Sequence, residues 1–236
     1  MKEEIAKREW EKHFGDEGEF LDKYFSTYYK PDNLIINTSN PDQAFIYMGL
    51  ILRYNYKYYN DIIPIGYITA VLTNPEFRNK GYFRITMEKI FDKLISQDYI
   101  VSCLIPANQE LTQTYIRYGY ANCYVDKKNE DSNKSIIHED KTIELYKELG
   151  YDLSLIKPNT SGMIRIINLE KAIALYAKYH PKVHKTYKVV DGQIPMNNKV
   201  IEISKGLSKV IDDSTFGEEI TILELTKLIF KETPKS

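Results

Sequence analysis

Between Tyr67 and Leu94 the hydrophobic period of the chain changes at a proline. Ile68, Ala70 and Leu72 alternate with Thr69, Val71 and Thr73, which predicts a strand. Asn74-Pro75 ends it, because the proline ring crowds the residue before it out of the helical region. Beyond Arg78-Asn79-Lys80-Gly81 the spacing becomes helical. Phe83, Met87, Ile90, Phe91 and Leu94 fall at i, i+4, i+7, i+8 and i+11, one face of an amphipathic helix. A strand, a short basic loop with one glycine, and a helix are therefore expected in that order.

That arrangement has a chemical consequence. The first amides of a helix lack carbonyl partners and carry a partial positive charge. Consecutive loop amides can form an anion-binding nest, and Arg78 and Lys80 add full charges. A diphosphate suits such a place. A turn glycine and surface cations also suit any strand–loop–helix connection, so the loop alone does not decide between the two.

The rest of the chain reads as alternating elements. Lys2–His13 and Glu19–Tyr29 are predicted helices, the second with Phe20, Tyr24, Phe25 and Tyr28 along one side as core. Leu34–Thr38, Gln43–Arg53 and Ile62–Thr73 read as strands, with Asn40-Pro41-Asp42 as a turn. Arg53–Tyr59 interleaves bases with aromatics and is read as an exposed hairpin. Tyr99–Ile105 is a buried strand joined through the long helix to Ile68–Thr73, as in a βαβ unit. Gln109–Arg117 is a short helix and Tyr120–Asp126 a further strand. Lys127–Lys134 is polar linker, and Ile136–Gly150 a helix ended by its glycine. A small α/β tail follows: strand Met163–Ile167, helix Leu169–Tyr179, strands near Thr186–Val190 and Val200–Ser204, and helix Thr221–Phe230.

Composition limits the function classes. The 236 residues allow one large domain with a small one, and 43% hydrophobic content supports a sizeable core. A net charge of −1 gives no nucleic-acid footprint. Two cysteines, Cys103 and Cys123, make no disulfide framework; Cys103 reads as core, and a reducing cytoplasm fits. No apolar run approaches the ~20 residues of a membrane span, and the charged start has no signal region. His180-x-x-x-His184 has metal-like spacing, but Pro181 interrupts any helix there, so no metal is expected.

Four landmarks resemble one family. Val71-x-Thr73-x-Pro75 followed by Arg78-x-x-Gly81 looks like the acyl-CoA diphosphate loop of the GNAT acetyltransferases. Tyr115-Ile116-Arg117-Tyr118-Gly119-Tyr120 resembles their Y-x-x-x-G-[FY] element. WEKHFGD and YYKPDN, within Trp10–Asn33, resemble the opening of the enhanced-intracellular-survival (Eis) branch. Ser161–Asn168 and Ile220–Phe230 resemble the first and last elements of the sterol-carrier-like domain ending those enzymes. Three features depart from the pattern. Phe83 stands where many GNAT loops have Gly or Ala. The chain has no room for the middle domain of larger Eis-like proteins. Lys231–Ser236 extend past Phe230, whereas in Eis the C-terminal carboxylate reaches the active site.

The resemblance implies a GNAT fold: an α/β (α+β) protein whose mixed, mostly antiparallel sheet has a splayed parallel pair near a bulge, with flanking helices. It implies an acetyltransferase domain over 1–126, a connecting segment over 127–160 and a small sterol-carrier-like domain over 161–236. Acetyl-CoA would be the cosubstrate, without a metal. Val71, Leu72 and Thr73 would hold the pantetheine arm through their backbone. Arg78, Asn79, Lys80, Gly81, Tyr82, Phe83 and Arg84 would grip the diphosphate, with Asn108 as a side-chain ligand. A backbone N–H at Val71 or Leu72 would polarise the thioester carbonyl. Tyr115 would protonate the leaving thiolate; the alternative, a packed aromatic in a chain with 20 tyrosines, is weighed below that role because of its place in the motif. No base stands out; Glu76 and Asp61 are named only as nearby carboxylates.

The implied function is transfer of an acetyl group to a primary amine, on a small molecule or a peptide, in the cytoplasm. No nucleic acid or membrane partner is expected, and a homo-oligomer is left open. The alternatives are a CoA- or small-ligand-binding protein without catalysis, and a scaffold that binds through its C-terminal domain.

Overall fold

The computed structural model describes residues 2–16, 18–38, 45–123, 134–137, 140–150, 162–212 and 216–231. They form two compact units. The first comprises Met1–Tyr54, Tyr67–Lys93 and His138–Lys157, and the second Asn55–Gly66, Leu94–Ile137 and Pro158–Ser236.

In the first unit, helices α1 (Lys2–Phe14) and α2 (Gly18–Tyr28) pack around Trp10. Its ring lies 5.1 Å from Tyr24 and 5.8 Å from Phe25, and its indole N–H donates to Asp16 Oδ2 at 2.9 Å. That bond satisfies the one polar atom of an otherwise apolar side chain. The expected aromatic side of α2 is core: Tyr24, Phe25 and Tyr28 are buried, joined by Leu21, while Phe20 packs at the margin. These residues meet Phe45, Met48, Leu50 and Leu52 of strand β2 (Phe45–Tyr58), Ala70 of β3 (Asp61–Thr73), and Leu145 of α5 (Asp140–Glu148). Strand β1 (Leu34–Thr38) pairs antiparallel with β2, with a bulge between Asn37 and Thr38.

Helix α3 (Tyr82–Ser96) buries Met87, Ile90, Phe91 and Leu94, the predicted face. It crosses β2 at Gly49, where a Cβ would come within 3.0 Å of Ile90 Cδ1 and 3.6 Å of Thr86 Cγ2. A side chain there would crowd the end of Ile90, so the glycine serves close approach.

The second unit contains β4 (Val101–Leu104), α4 (Gln109–Arg117), β5 (Lys134–Ile137) and β6 (Met163–Ile166). β4 pairs antiparallel with β6, and β5 with the end of β2, Asn55–Tyr58. The strand order of this six-stranded sheet is β1-β2-β3-β4-β6, with β5 on β2. Helix α6 (Leu169–Tyr179) leads to a four-stranded sheet of β7 (Lys185–Val190), β8 (Val200–Ser204), β9 (Leu207–Ile211) and β10 (Glu218–Thr221), in the order β10-β7-β8-β9. Helix α7 (Ile222–Phe230) starts in a capping box, with Thr221 Oγ1 accepting from Glu224 N at 3.2 Å and Glu224 Oε2 from Thr221 N at 3.0 Å.

Four expectations change. Arg53–Tyr59 is not an exposed hairpin. β2 runs through it, with Tyr56 and Tyr58 buried, because Tyr54, Tyr56 and Tyr58 have the period of a strand and Arg53, Asn55 and Lys57 alternate with them on the other face. Ile136 and Ile137 belong to β5, and the helix begins only at Asp140, since pairing with β2 overrides their place in a helical run. Of the strand expected at Tyr120–Asp126, an isolated bridge of Ala121 to Ile164 is seen, and residues 124–126 lie outside the described residues. β9 and β10 were not expected; their burial is too low for a hydrophobic signal. The turn at 40–42, the linker at 127–133 and the tail at 232–236 also lie outside the described residues. Among the described residues, no helix is long and apolar enough to cross a membrane.

Replacing Trp10 by Ala removes the centre of the first core and leaves Asp16 without its donor. A loss of about 3–5 kcal/mol is expected in denaturant unfolding. A loss under about 1 kcal/mol would show that the ring is not central.

Candidate active site

The end of β3 carries a conformational irregularity. Ala70, buried, has φ +51°. A left-handed residue inside a strand breaks the alternation of the ladder and re-aims the backbone groups that follow, here Val71, Leu72 and Thr73. Alanine tolerates this at modest cost; a β-branched residue would not.

The strand is then fastened by Asn74. Its backbone N–H donates to Ile46 O at 2.9 Å, and its Nδ2 to Phe45 O at 2.9 Å. Its Oδ1 accepts from Glu76 N at 3.2 Å and so caps the short 3₁₀ turn Pro75–Phe77. Two contacts face back to β2 and one faces forward into the loop. Phe77 N and Arg78 N are used within the turn, bonding Asn74 O and Pro75 O at 2.8 and 3.3 Å.

From Asn79 the loop geometry changes. Asn79 (φ +60°) and Gly81 (φ +81°) are left-handed, and Lys80 between them is not. Alternation of this kind turns successive N–H groups to one side. Helix α3 follows at once: Ile85 N bonds Gly81 O at 3.3 Å, so the amides of Gly81, Tyr82, Phe83 and Arg84 precede its first internal bond. A Cβ at Gly81 would meet nothing within 4 Å, so the space beside the glycine is open.

The side chains are arranged less simply than their charges suggest. Lys80 Nζ donates to Glu76 O at 3.1 Å and lies 5.1 Å over the Phe77 ring. Arg78 Nε reaches Thr73 O at 3.5 Å, and Arg84 pairs with Glu88 at 2.6 Å. The cations sit on the loop, and the open direction belongs to the backbone. Tyr82 is wedged between Tyr47 and Phe77, each 6.0 Å away, which fixes the first turn of α3. All residues from Val71 to Arg84 lie in the first unit.

Asn108 and Tyr115 lie in the second unit, at opposite ends of α4. Asn108 is the N-cap: its Oδ1 accepts from Leu111 N at 2.9 Å, so its Nδ2 is the group available for a ligand. Tyr115 is buried, with its ring 5.7 Å from Tyr120. Burial pushes its phenol up to about 12.

The spacing Y-x-x-x-G has a structural reading. Tyr120 N and Gly119 N bond Tyr115 O and Ile116 O at 3.1 and 2.9 Å, and Gly119 has φ +82°. This is a Schellman cap, in which Tyr115 accepts the outer bond and the glycine takes the left-handed position. A Cβ at Gly119 would run into Arg165 Nη1. Glycine is thus required both by its φ and by the guanidinium beside it. Arg165 could not be foreseen from the sequence, because it is brought in from 46 positions downstream by the pairing of β6 with β4.

Of the two carboxylates considered as bases, Asp61 is held by Lys178 at 2.7 Å and by the Tyr179 hydroxyl at 3.0 Å. The lysine's hydrogen bond draws its carboxyl below the usual range, which suits an ion pair better than proton abstraction. Glu76 is exposed. Among the described residues, no three His, Cys, Asp or Glu side chains could hold a metal together.

Residues 2–123, a little over half of the chain, match the acetyltransferase (GNAT) domain. The chain belongs to the GNAT acetyltransferases. No curated protein matches it by sequence. Among solved structures, the GNAT chain is similar to Eis1 from Mycobacterium abscessus, with a TM-score of 0.69 at 9% identity over 97% of this chain and 86% of that one. It is also similar to a protein of Enterococcus faecalis V583 described as a probable N-acyltransferase, with a TM-score of 0.68 at 15% identity over 96% and 86%. A GCN5-related N-acetyltransferase of Anabaena variabilis gives 0.63 at 14% identity over 95% and 86%. At these identities the likeness is one of fold. The expected mixed α/β class is the observed one, with GNAT-like architecture.

The Ala70 conformation gives a direct test. Ala70→Gly should leave thermal stability unchanged or slightly raised, whereas Ala70→Val should cost about 1–3 kcal/mol. Equal tolerance of both would mean that the strand is regular in solution.

Proposed function

We propose that this GNAT protein is an acetyl-CoA-dependent N-acetyltransferase of the Eis-like branch, acting on a primary amine of a small molecule or a peptide. The observation that carries this reading is the loop from Asn74 to Gly81. It is fastened to β2 at one end and opens into the start of α3 at the other, with left-handed residues at Asn79 and Gly81 and clear space beside the glycine. A doubly charged diphosphate matches it: converging amides and a helix N-terminus stabilise anions by about 0.3–1 kcal/mol per exposed contact, and the two cations add to this.

In this reading the backbone of Val71, Leu72 and Thr73 holds the pantetheine arm, and Asn79 to Arg84 hold the diphosphate by their amides. Asn108 adds its Nδ2. The neutral amine attacks the thioester carbon, and an N–H at Val71 or Leu72 steadies the carbonyl oxygen as it becomes negative. As the tetrahedral adduct collapses, the carbon–sulfur bond breaks, and the thiolate takes the hydroxyl proton of Tyr115. The proton lost by the amine restores the phenol through solvent. A phenol raised to about 12 is fully protonated at neutral pH, the state that a proton donor needs.

The acetyltransferase domain is assigned to 1–126, the connection to 127–160 and a sterol-carrier-like domain to 161–236. The cytoplasm is its assigned compartment. The fold likeness to Eis1 supports the branch, and the motifs at Trp10–Asn33 support it independently.

Thermal shift with acetyl-CoA and desulfo-CoA tests cofactor binding, and thiol release over a panel of polyamines, aminoglycosides and lysine peptides tests turnover. Stabilisation by CoA without turnover would favour a binding protein. Gly81→Asp should abolish the shift, since it sets a carboxylate against the diphosphate. Gly81→Ala should weaken binding only by the cost of its left-handed φ, roughly tenfold. Loss of equal size in both would place the effect in the backbone alone.

Tyr115→Phe should lower kcat by about 10²-fold or more while the KM for acetyl-CoA stays within about twofold. Because burial raises this phenol, its acid form persists as pH rises. The native enzyme should therefore keep its kcat up to about pH 10 as far as Tyr115 is concerned. A falling limb below pH 10 that disappears in Tyr115→Phe would contradict the assignment.

A further inference from the structure

A buried ion pair lies behind the helix that carries Tyr115. Arg165 on β6 and Asp191 after β7 have side chains that are 0% exposed. Arg165 Nη2 stands 2.8 Å from both Asp191 Oδ1 and Oδ2. The carboxylate also accepts from Gln193 N at 2.9 Å, Ile194 N at 3.1 Å and Asn197 Nδ2 at 3.0 Å. Asn197 is buried in turn, its Oδ1 accepting from Leu169 N at 3.1 Å. The charge on Asp191 thus accepts five hydrogen bonds from four donors in three segments of the second unit.

On its other side the guanidinium is directed at the turn after α4. Arg165 Nη1 donates to Tyr118 O and fills the space that a side chain at Gly119 would take. The same turn is fixed at two further points. The Tyr120 and Ser102 hydroxyls lie 2.8 Å apart, and Ser102 is the direct cross-strand partner of Arg165. Ala121 and Ile164 exchange both backbone hydrogen bonds, at 2.8 and 2.9 Å. The turn in its turn holds Tyr115, whose carbonyl accepts from Tyr118 N and Tyr120 N at 2.9 and 3.1 Å.

A buried ion pair is a poor source of stability, because removing two charges from water costs about what their attraction returns. Its geometry is specific, however, and a guanidinium held by a carboxylate that three further donors fix in place is a rigid object. We propose that Arg165, oriented by Asp191, is a positioning residue for Tyr115: through Tyr118 O and Gly119 it sets the end of α4 and hence the direction of the phenol. The inference rests on the acetyltransferase reading, in which Tyr115 gives up a proton. It assigns to residues of the C-terminal half a role in a step performed by the N-terminal half.

The test uses the full chain and two variants that keep a polar side chain, Arg165→Lys and Asp191→Asn, each checked for a native circular dichroism spectrum. Thiol release from acetyl-CoA is measured with the best amine of the panel. Both variants should lower kcat by about 10–100-fold with the KM for acetyl-CoA within twofold, the size of effect that a shift near 1 Å produces. In the Tyr115→Phe background, Arg165→Lys should lower kcat no further, because a positioning residue acts only through the group it positions. An equal loss in both backgrounds would overturn the proposal, as would folded variants of unchanged kcat.

A second measurement stands apart from turnover. With ¹³C at the tyrosine ring carbon that bears oxygen, the Tyr115 signal is the one missing from Tyr115→Phe. Arg165→Lys should shift or broaden it, leaving Tyr47 and Tyr82 of the first unit in place. If no amine turns over, or Tyr115→Phe is fully active, the proton-donor reading fails and this signal alone decides the positioning. An unmoved Tyr115 signal in both variants would sink it.

Discussion

The first unit depends on the way Asn74 ends β3. A strand that leaves a sheet exposes backbone groups that must be bonded elsewhere. Asn74 meets that need from one residue, donating twice to β2 and accepting once from the turn that follows. The turn, the left-handed Asn79 and Gly81, and the first residues of α3 are placed in relation to that anchor. Without it the loop would still be basic, but its amides would have no fixed direction. Anion binding by backbone depends on direction, since the dipoles are small and act together only when they converge.

The second unit has a different anchor. Its polar centre is a charge pair with no access to water, which is tolerable only because every oxygen of the carboxylate has donors. Gly119 is the meeting point of helix geometry and electrostatics. The Schellman cap demands a left-handed residue, and the guanidinium forbids a Cβ. Either reason would suffice for glycine. Together they explain why the spacing from Tyr115 to Gly119 carries more information than a helix end usually does.

Much of this was legible in the chain because the signals were local. The period change at Pro75 predicted β3, the loop and α3, and the predicted face of α3 is the buried one. Gln109–Arg117, Leu169–Tyr179 and Val200–Ser204 were predicted with their observed ends, since each is bounded by a capping Asn, a proline or a turn. The errors arose where tertiary contact overrode local preference. Tyr54, Tyr56 and Tyr58 read as exposed while their neighbours were counted as bases rather than as the outer face of a strand. Ile136 and Ile137 joined a helical run until pairing with β2 claimed them. β9 and β10 hold their places by backbone ladders, which leave no hydrophobic trace.

The sequence by itself determined most of the helices, the family and the basic strand–loop–helix junction after β3, because helix periods, proline breaks and glycine turns act over a few residues. Only the tertiary structure decided that Ala70 is left-handed, that Lys80 and Arg78 fold onto their own loop, and that Arg165 stands behind Gly119. Lys80 and Arg78 fold back because the turn after Asn74 brings the Glu76 and Thr73 carbonyls within reach; Ala70 depends on a backbone angle that the sheet imposes, and Arg165 on neighbours distant in the chain. Such neighbours are chosen by strand pairing, whose partners lie dozens of residues apart and share no local code.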